Sequence, residues 1–339
     1  AFINSGYKKI IFAGNSFVQE IVPSLIKSIS IDERSEDEIV KVLKQIENPL
    51  VISSQNRFAI HVAKSLGIPS AFLDGLAWFW KKIPSDHLIA DEIFWMNYPY
   101  IRDKLPKNFN RIHIVPAIVD IKSDVRKRDQ ILIHIGGCKN PLIDAFPKRY
   151  LDMLAGSLFN LSSTDKIMVT GGVEAIKYLK FLLLKNGSKI KAISLKHHEF
   201  IRELSKSKHF ITTAGQTATL ESFALGIPTS FLLPMNLSQL ALTNMLAEFN
   251  ASPQVLCWDS YFYNKVNILT LSEKDAIIQF NEYAKSIQNN KKLSRSFNLD
   301  LMNTINTIPK QEGQKDFIKH LGISGAYAIK NILIKKWNL

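Results

Sequence analysis

Residues 209–248 read HFITTAGQTATLESFALGIPTSFLLPMNLSQLALTNMLAE. The stretch opens on an apolar-then-small run, Phe210-Ile211-Thr212-Thr213, that suits a buried strand. Ala214-Gly215-Gln216-Thr217 reads as a turn, and Leu220, Phe223 and Ala224 then recur at helical spacing from a start near Thr217 or Ala218. Gly226 stops that helix and Pro228 forbids its continuation. A second apolar strand, Thr229 to Leu233, closes at Pro234 and leads to another helix. In such a unit the glycine lets backbone approach a ligand, and the helix start offers unpaired N–H groups to an anion. Glu221 falls in the first turn or just beyond, on a side able to face the same crevice.

Strands alternate with helices in both directions from this unit. Upstream, strands are expected at Lys191–Leu195, Lys166–Thr170 and Ile131–Ile135, separated by helices at Val173–Lys185 and Arg149–Leu161. Helix Glu199–Ser207 leads back into the quoted stretch. The strand Ile131–Ile135 ends in Gly136-Gly137, which suits close approach to a phosphate or to other backbone; Lys139 and Asn140 could add donors. His134 reads as a core residue of that strand. In the first third, strands at Lys9–Ala13, Pro49–Ser54, Ile68–Leu73 and Arg111–Pro116 go with helices at Ser16–Ile29, Asp32–Asn48 and Phe58–Leu66. Gly67-Ile68-Pro69 echoes Gly226-Ile227-Pro228, so two similarly built α/β halves are expected. The polar run Asp120–Gln130 breaks the periodicity and reads as a linker. The C-terminal third is helical: Ser272–Asn289, Lys291–Thr304, Gly313–His320 and Ala326–Trp337.

Composition bounds the class. With 339 residues there is room for two ordinary domains, and 46% hydrophobic with 22% charged residues are globular values. Cys138 and Cys257 stand far apart without metal-type spacing, which suits ordinary thiols in a reducing, cytoplasmic setting. No apolar run approaches the roughly 20 residues that span a bilayer. The net charge of +13 has three readings: compositional bias, attraction to anionic substrates or a membrane surface, and nucleic acid. The last is disfavoured, because the lysines are dispersed and form no stripe with stacking aromatics.

Gly215, Glu221, Gly226-Ile227-Pro228, the strand ending in Pro234, then Ser238-Gln239 and Asn244 make one ordered pattern. It resembles the nucleotide-sugar segment of GT-B glycosyltransferases, in particular the family of the peptidoglycan lipid-intermediate N-acetylglucosaminyltransferase and macrolide-type enzymes. The resemblance implies an α/β fold of two Rossmann-like domains facing a cleft, with a C-terminal helix crossing back to the first. The expected division is 1–122 on the acceptor side, 123–316 on the nucleotide-sugar side and 317–339 as the crossover helix. It implies that Gly215, Gln216 and Thr217 with Gly136 and Gly137 cradle a diphosphate, that Glu221 holds the ribose, and that Gln239 contacts the donor sugar. Ile193 lies where the nucleobase is held, and Thr213 stands where many relatives have a histidine. Relatives open with one more strand and a Gly-rich loop before the strand that Ala1 to Ser5 matches, so that first unit is expected to be missing here.

The implied activity is transfer from a nucleoside diphosphate sugar, UDP-linked first and dTDP-linked second, to a hydroxyl on a small-molecule, glycan or lipid-linked acceptor. The reading is inverting, with no metal and no cofactor beyond the co-substrate. An epimerase or hydrolase on the same architecture, or a non-catalytic nucleotide-sugar-binding subunit, are the alternatives. Asp74 follows a buried strand at its carboxyl end and is the general-base candidate; the plain alternative is a turn cap. Asp86 and His87 follow in a segment with bunched aromatics, Trp78, Phe79, Trp80, Phe94, Trp95 and Tyr98, which reads as core or as an acceptor wall. His197-His198-Glu199 invites a metal reading, but adjacent residues lack the i,i+3 or i,i+4 spacing that puts ligands on one helix face. The basic end of the last helix, Lys330, Lys335 and Lys336, could dock on the protein or rest weakly on an anionic membrane, at the inner face.

Overall fold

The computed structural model describes residues 11–14, 27–32, 34–119, 121, 127–138, 147–159, 166–262 and 268–338. The chain divides into two compact units, Ala1–Val119 with Lys319–Leu339, and Asp120–Ile318.

In the first unit β1 (Ile11–Gly14) pairs in parallel with β2 (Lys27–Ser30). The expected helix Ser16–Ile29 is corrected at its end, since Lys27–Ile29 is strand; residues 15–26, like the expected strand at Ala1–Ser5, lie outside the described residues. Next come α1 (Glu36–Leu43), β3 (Val51–Ser54), α2 (Arg57–Ser65), β4 (Ser70–Asp74), β5 (Glu92–Met96) and β6 (Ile112–Val115). The four strands β3-β4-β5-β6 pair in that order, all parallel. Helix α1 is shorter than the periodicity of Asp32–Asn48 predicts. Ser35 takes the N-cap and accepts the Glu38 amide, and Glu36, Asp37 and Glu38 place negative charge where the helix dipole favours it.

The second unit runs β7 (Gln130–His134), α3 (Lys148–Phe159), β8 (Lys166–Thr170), α4 (Val173–Lys185), β9 (Lys191–Ala192), α5 (His197–Ser205), β10 (Ser207–Thr212), α6 (Gln216–Ala224), β11 (Thr229–Phe231), α7 (Leu237–Glu248), α8 (Glu273–Asn289) and α9 (Lys291–Asn306). Its five strands are parallel in the order β11-β10-β7-β8-β9. Chain order therefore reverses between β7 and β10. At such a switch point the loops leaving the two central strands diverge, and a crevice opens at their carboxyl ends. Strand β7 is apolar along nearly its whole length because helices cover both faces of a parallel sheet. Leu132, Met168, Phe200, Leu204, Phe210, Ala218 and Ile227 form one core cluster that joins sheet, α5 and α6. Burying each large member contributes roughly 1.5–3 kcal/mol by removing apolar surface from water.

The repeated Gly-Ile-Pro is the same device in both units. Gly67 (φ +67) receives α2 and Gly226 (φ +61) receives α6 in the left-handed region. Gly67 N–H bonds Lys64 and Ile68 N–H bonds Ala63, while Gly226 N–H bonds Phe223 and Ile227 N–H bonds Ser222. Both are Schellman caps. Beyond α9, helix α10 (Glu312–Leu321) brings Gln314 to the outer edge of β11, where its side chain bonds both the N–H and C=O of Thr229. The last helix, α11 (Gly325–Trp337), returns to the first sheet and packs Ile329 and Leu333 on Ala71, Phe94 and Val115. Lys336 in its last turn pairs with the buried Glu92 at 2.7 Å.

Candidate functional site

The candidate site is built at the switch point of the second sheet. The ladder between β7 and β10 continues one step past the strands, where Thr213 N–H donates to His134 O at 3.2 Å. Gly136 turns the chain at φ +70, and its carbonyl accepts Gly172 N–H at 2.9 Å. A Cβ on Gly172 would run into the Gly137 carbonyl, and one on Gly171 would meet Ile135. The second Gly-Gly therefore exists to let the loop after β8 lie against the loop after β7. Lys139 and Asn140 lie outside the described residues.

On the β10 side, Gly215 N–H bonds back to Thr213 O at 2.5 Å, and Gly215 is the N-cap of α6. The helix begins one residue earlier than its periodicity suggests, so Gln216 is its first residue. Thr219 N–H is the first to reach Gly215 O. The amides of Thr217 and Ala218 have no intrahelical acceptor, and glycine supplies no side chain to cap them. Thr213 is fully buried, and its Oγ1 has no hydrogen-bond partner. That oxygen lies 3.2 Å from where a Gly136 Cβ would be. A buried hydroxyl without a partner is uncommon.

Glu221 lies in the second turn of α6 and is only 2% exposed. Its Oε1 stands 2.6 Å from His197 Nε2. A carboxylate only accepts, so the imidazole donates. His197 opens α5, two residues before the helix predicted at Glu199, and Glu199 turns back to accept Lys196 N–H. Sequence weighed His197 only as a metal ligand, because nothing local shows that α5 lies beside α6. Among the described residues no three His, Cys, Asp or Glu side chains converge as a metal site would need.

The remaining residues divide between scaffold and surface. The strand expected to Leu195 stops at Ala192. Ile193 N–H continues the ladder to Val169 O, and its side chain packs on the core cluster. Ile193 therefore has backbone rather than side chain to offer a ligand. Gln239 sits in the first turn of α7: its N–H donates to the Asn236 side chain at 2.9 Å and its Oε1 accepts Met235 N–H at 2.8 Å. The Nε2 end is what it can present. His134 packs against Phe200 and Phe210, and burial pushes its pKa down to about 4, so the ring is neutral near pH 7.

In the first unit Asp74 ends β4 and is 1% exposed. Oδ1 accepts Leu76 N–H at 3.0 Å and Trp80 Nε1–H at 3.4 Å, while Oδ2 meets His87 Nδ1 at 2.8 Å. Phe72 and Trp80 present ring edges to the same imidazole. The carboxylate caps its turn and orients His87 at once. The aromatic bunch is largely core: Trp78, Phe94, Trp95 and Tyr98 are buried, and Trp78 stacks on Tyr98.

No protein-family model matches the chain, and no curated protein sequence does. Solved structures do. The spinosyn rhamnosyltransferase SpnG, determined with spinosyn aglycone, matches 97% of this chain and 93% of its own, with 11% identity and a TM-score of 0.51. Os79 from O. sativa, in complex with U2F and trichothecene, matches 96% and 92% at 8% identity, again with a TM-score of 0.51. The fold is GT-B, with two Rossmann-like units. MurG of Acinetobacter baumannii also matches, over 94% and 92% at 12% identity, but a TM-score of 0.45 adds no argument. Among the described residues no helix is long and apolar enough to cross a membrane.

Proposed function

We propose that the chain is a glycosyltransferase that moves a sugar from a nucleoside diphosphate sugar, UDP-linked before dTDP-linked, to a hydroxyl-type acceptor. The acceptor is a small molecule, a glycan or a lipid-linked alcohol. The observation that carries this reading is the pairing, at one switch point, of an uncapped helix start with a buried carboxylate in the following turn. The amides of Thr217 and Ala218 and the Gly136-Gly137 loop would receive the diphosphate. They stabilise the charge that grows on the leaving group without having to reorganise. Glu221 would accept the ribose hydroxyls, and Gln239 Nε2 would donate to a sugar hydroxyl.

The chemistry needs one base. In this reading the base is Asp74 of the first unit, whose carboxylate is joined to His87 Nδ1 at 2.8 Å, so that the pair takes the proton of the acceptor hydroxyl. The acceptor oxygen then bonds the anomeric carbon as the carbon–oxygen bond to the diphosphate breaks, and the diphosphate leaves with the electron pair. One displacement from the opposite face inverts the anomeric centre. No step requires a metal, because backbone amides meet the leaving group.

Titrating the protein with UDP, dTDP and their sugar conjugates tests the donor site. Binding in the micromolar range that falls at least about tenfold in Glu221→Ala, with folding retained, is the expected result; a loss of one charge-assisted hydrogen bond is worth about that much. Unchanged affinity in that variant removes the assignment. Incubation with a nucleotide sugar and no acceptor tests the reaction class. Epimerised sugar, or free sugar released as fast as any transfer, would replace transferase by epimerase or hydrolase.

A further inference from the structure

We propose that His197 is a positioning residue for the nucleoside: its Nε2–H holds the Glu221 carboxylate in the plane that reads a vicinal diol. The inference rests on the donor-site reading above and adds a residue to it. The geometry is specific. His197 Nε2 lies 2.6 Å from Glu221 Oε1, the carboxylate side chain is 3% exposed and the imidazole 44%. The acid is thus sunk in the unit while the ring that bonds it reaches solvent.

Three elements make the contact. Glu221 is held on α6, whose own face is packed by Ala218, and His197 is the first residue of α5. Phe200, one turn along α5, and Ala218 of α6 both belong to the cluster around Phe210 of β10, so both helices are anchored to the same strand. His197 cannot move far from Glu221 without disturbing that core. A buried carboxylate with no directed partner would be costly and free to rotate. The donated hydrogen bond removes both problems on one oxygen. Each carboxylate oxygen has two acceptor positions, so Oε1 can hold the imidazole and still take a hydroxyl, while Oε2 takes its neighbour. Two adjacent hydroxyls then fit only when the carboxylate plane is fixed. A single hydroxyl, as in a 2′-deoxyribose, gains little from that fixation.

Isothermal titration of UDP and 2′-deoxy-UDP into the whole protein and its variants tests this. The unchanged chain is expected to prefer UDP by about tenfold or more, the usual worth of a hydrogen bond to a charged group. His197→Ala should cost UDP about tenfold, leave 2′-deoxy-UDP within about twofold, and bring the ratio near one. His197→Gln, whose amide N–H can reach the same oxygen, should restore part of the ratio. Glu221→Gln serves as the control that abolishes the preference. A folded His197→Ala that keeps the full preference, while Glu221→Gln loses it, overturns the proposal and leaves the donor site standing. A His197→Ala that weakens both nucleotides alike also overturns it, since that is the mark of a merely structural role. A folded, unchanged chain that binds neither nucleotide overturns the donor-site reading and the proposal with it.

Discussion

Thr213 donates its N–H to the His134 carbonyl at 3.2 Å, one residue beyond the last paired positions of β10 and β7, Thr212 and His134. This bond carries the sheet into the site. It fixes where Gly136 and Gly215 begin their turns, and so where the α6 start lies relative to the Gly136-Gly137 loop. The glycines of this region do different work, and substitution separates them.

Gly172→Ala places a methyl group against the Gly137 carbonyl and is expected to cost about 1–3 kcal/mol in folding, as overpacking does. Gly215→Ala meets only Thr213 O at 3.8 Å at an ordinary φ of −76°, so its cost should be limited to the N-cap preference for glycine over alanine, about 1 kcal/mol or less. Any loss of nucleotide affinity in Gly215→Ala then reports the approach of ligand to backbone. Urea titration of both variants, with and without UDP, checks the contrast.

Asp74→Asn keeps the shape of the side chain but exchanges an acceptor for a donor beside His87 Nδ1 and Leu76 N–H. Turnover should fall about 10²–10⁴-fold with the donor KM little changed, because the wrong imidazole tautomer is then favoured. Steady-state kinetics resolve the two parameters. A drop in donor affinity with turnover intact would place Asp74 in the scaffold only.

His209 is fully buried and bonds Ser230 Oγ at 2.8 Å through Nε2. Burial pushes its pKa down to about 4, with the Ile305 backbone working the other way. Between pH 6.5 and about 4 the unfolded chain binds a proton here that the folded chain does not. Stability is therefore full above pH 6.5 and is lost as pH falls through that window, by up to about 1.4 kcal/mol per pH unit. Urea midpoints measured across this range should show a shallower slope in His209→Gln than in the unchanged protein.

Gly67→Ala and Gly226→Ala each force a side chain into the left-handed region at φ near +60° to +70°, with nothing within 4 Å of the added methyl group. Each should cost about 1 kcal/mol through backbone conformation alone. Denaturation midpoints read the cost; a much larger loss would mean that the cap also carries packing.

The alternation of strand and helix, the caps at Gly67 and Gly226, the strand at Lys166–Thr170 and the helix at Val173–Lys185 were all legible before any coordinates, because each depends on residues close in the chain. So was the order Gly215, Glu221, Gly226-Ile227-Pro228, which is a local βαβ pattern. Short elements were less legible. Strand β9 has two residues instead of five, and Thr229 to Leu233 has three in β11, because a strand ends where its neighbour stops offering partners. The Ser16–Ile29 periodicity gave way at Lys27 for the same reason: pairing with β1 outweighs local preference.

Local sequence was thus enough to place the glycine turns and, to within about two residues, the start of α6. Tertiary structure decided which of them meet. The strand order β11-β10-β7-β8-β9 places Gly136 beside Thr213 across some 77 residues of chain, as the 213 and 136 positions show. Docking of α5 and α6 on the same strand, β10, gives Glu221 its imidazole, and the segment after β4 gives Asp74 its own. Hydrogen bonds between distant residues depend on where the chain is carried by long-range burial, and no spacing within a segment encodes that.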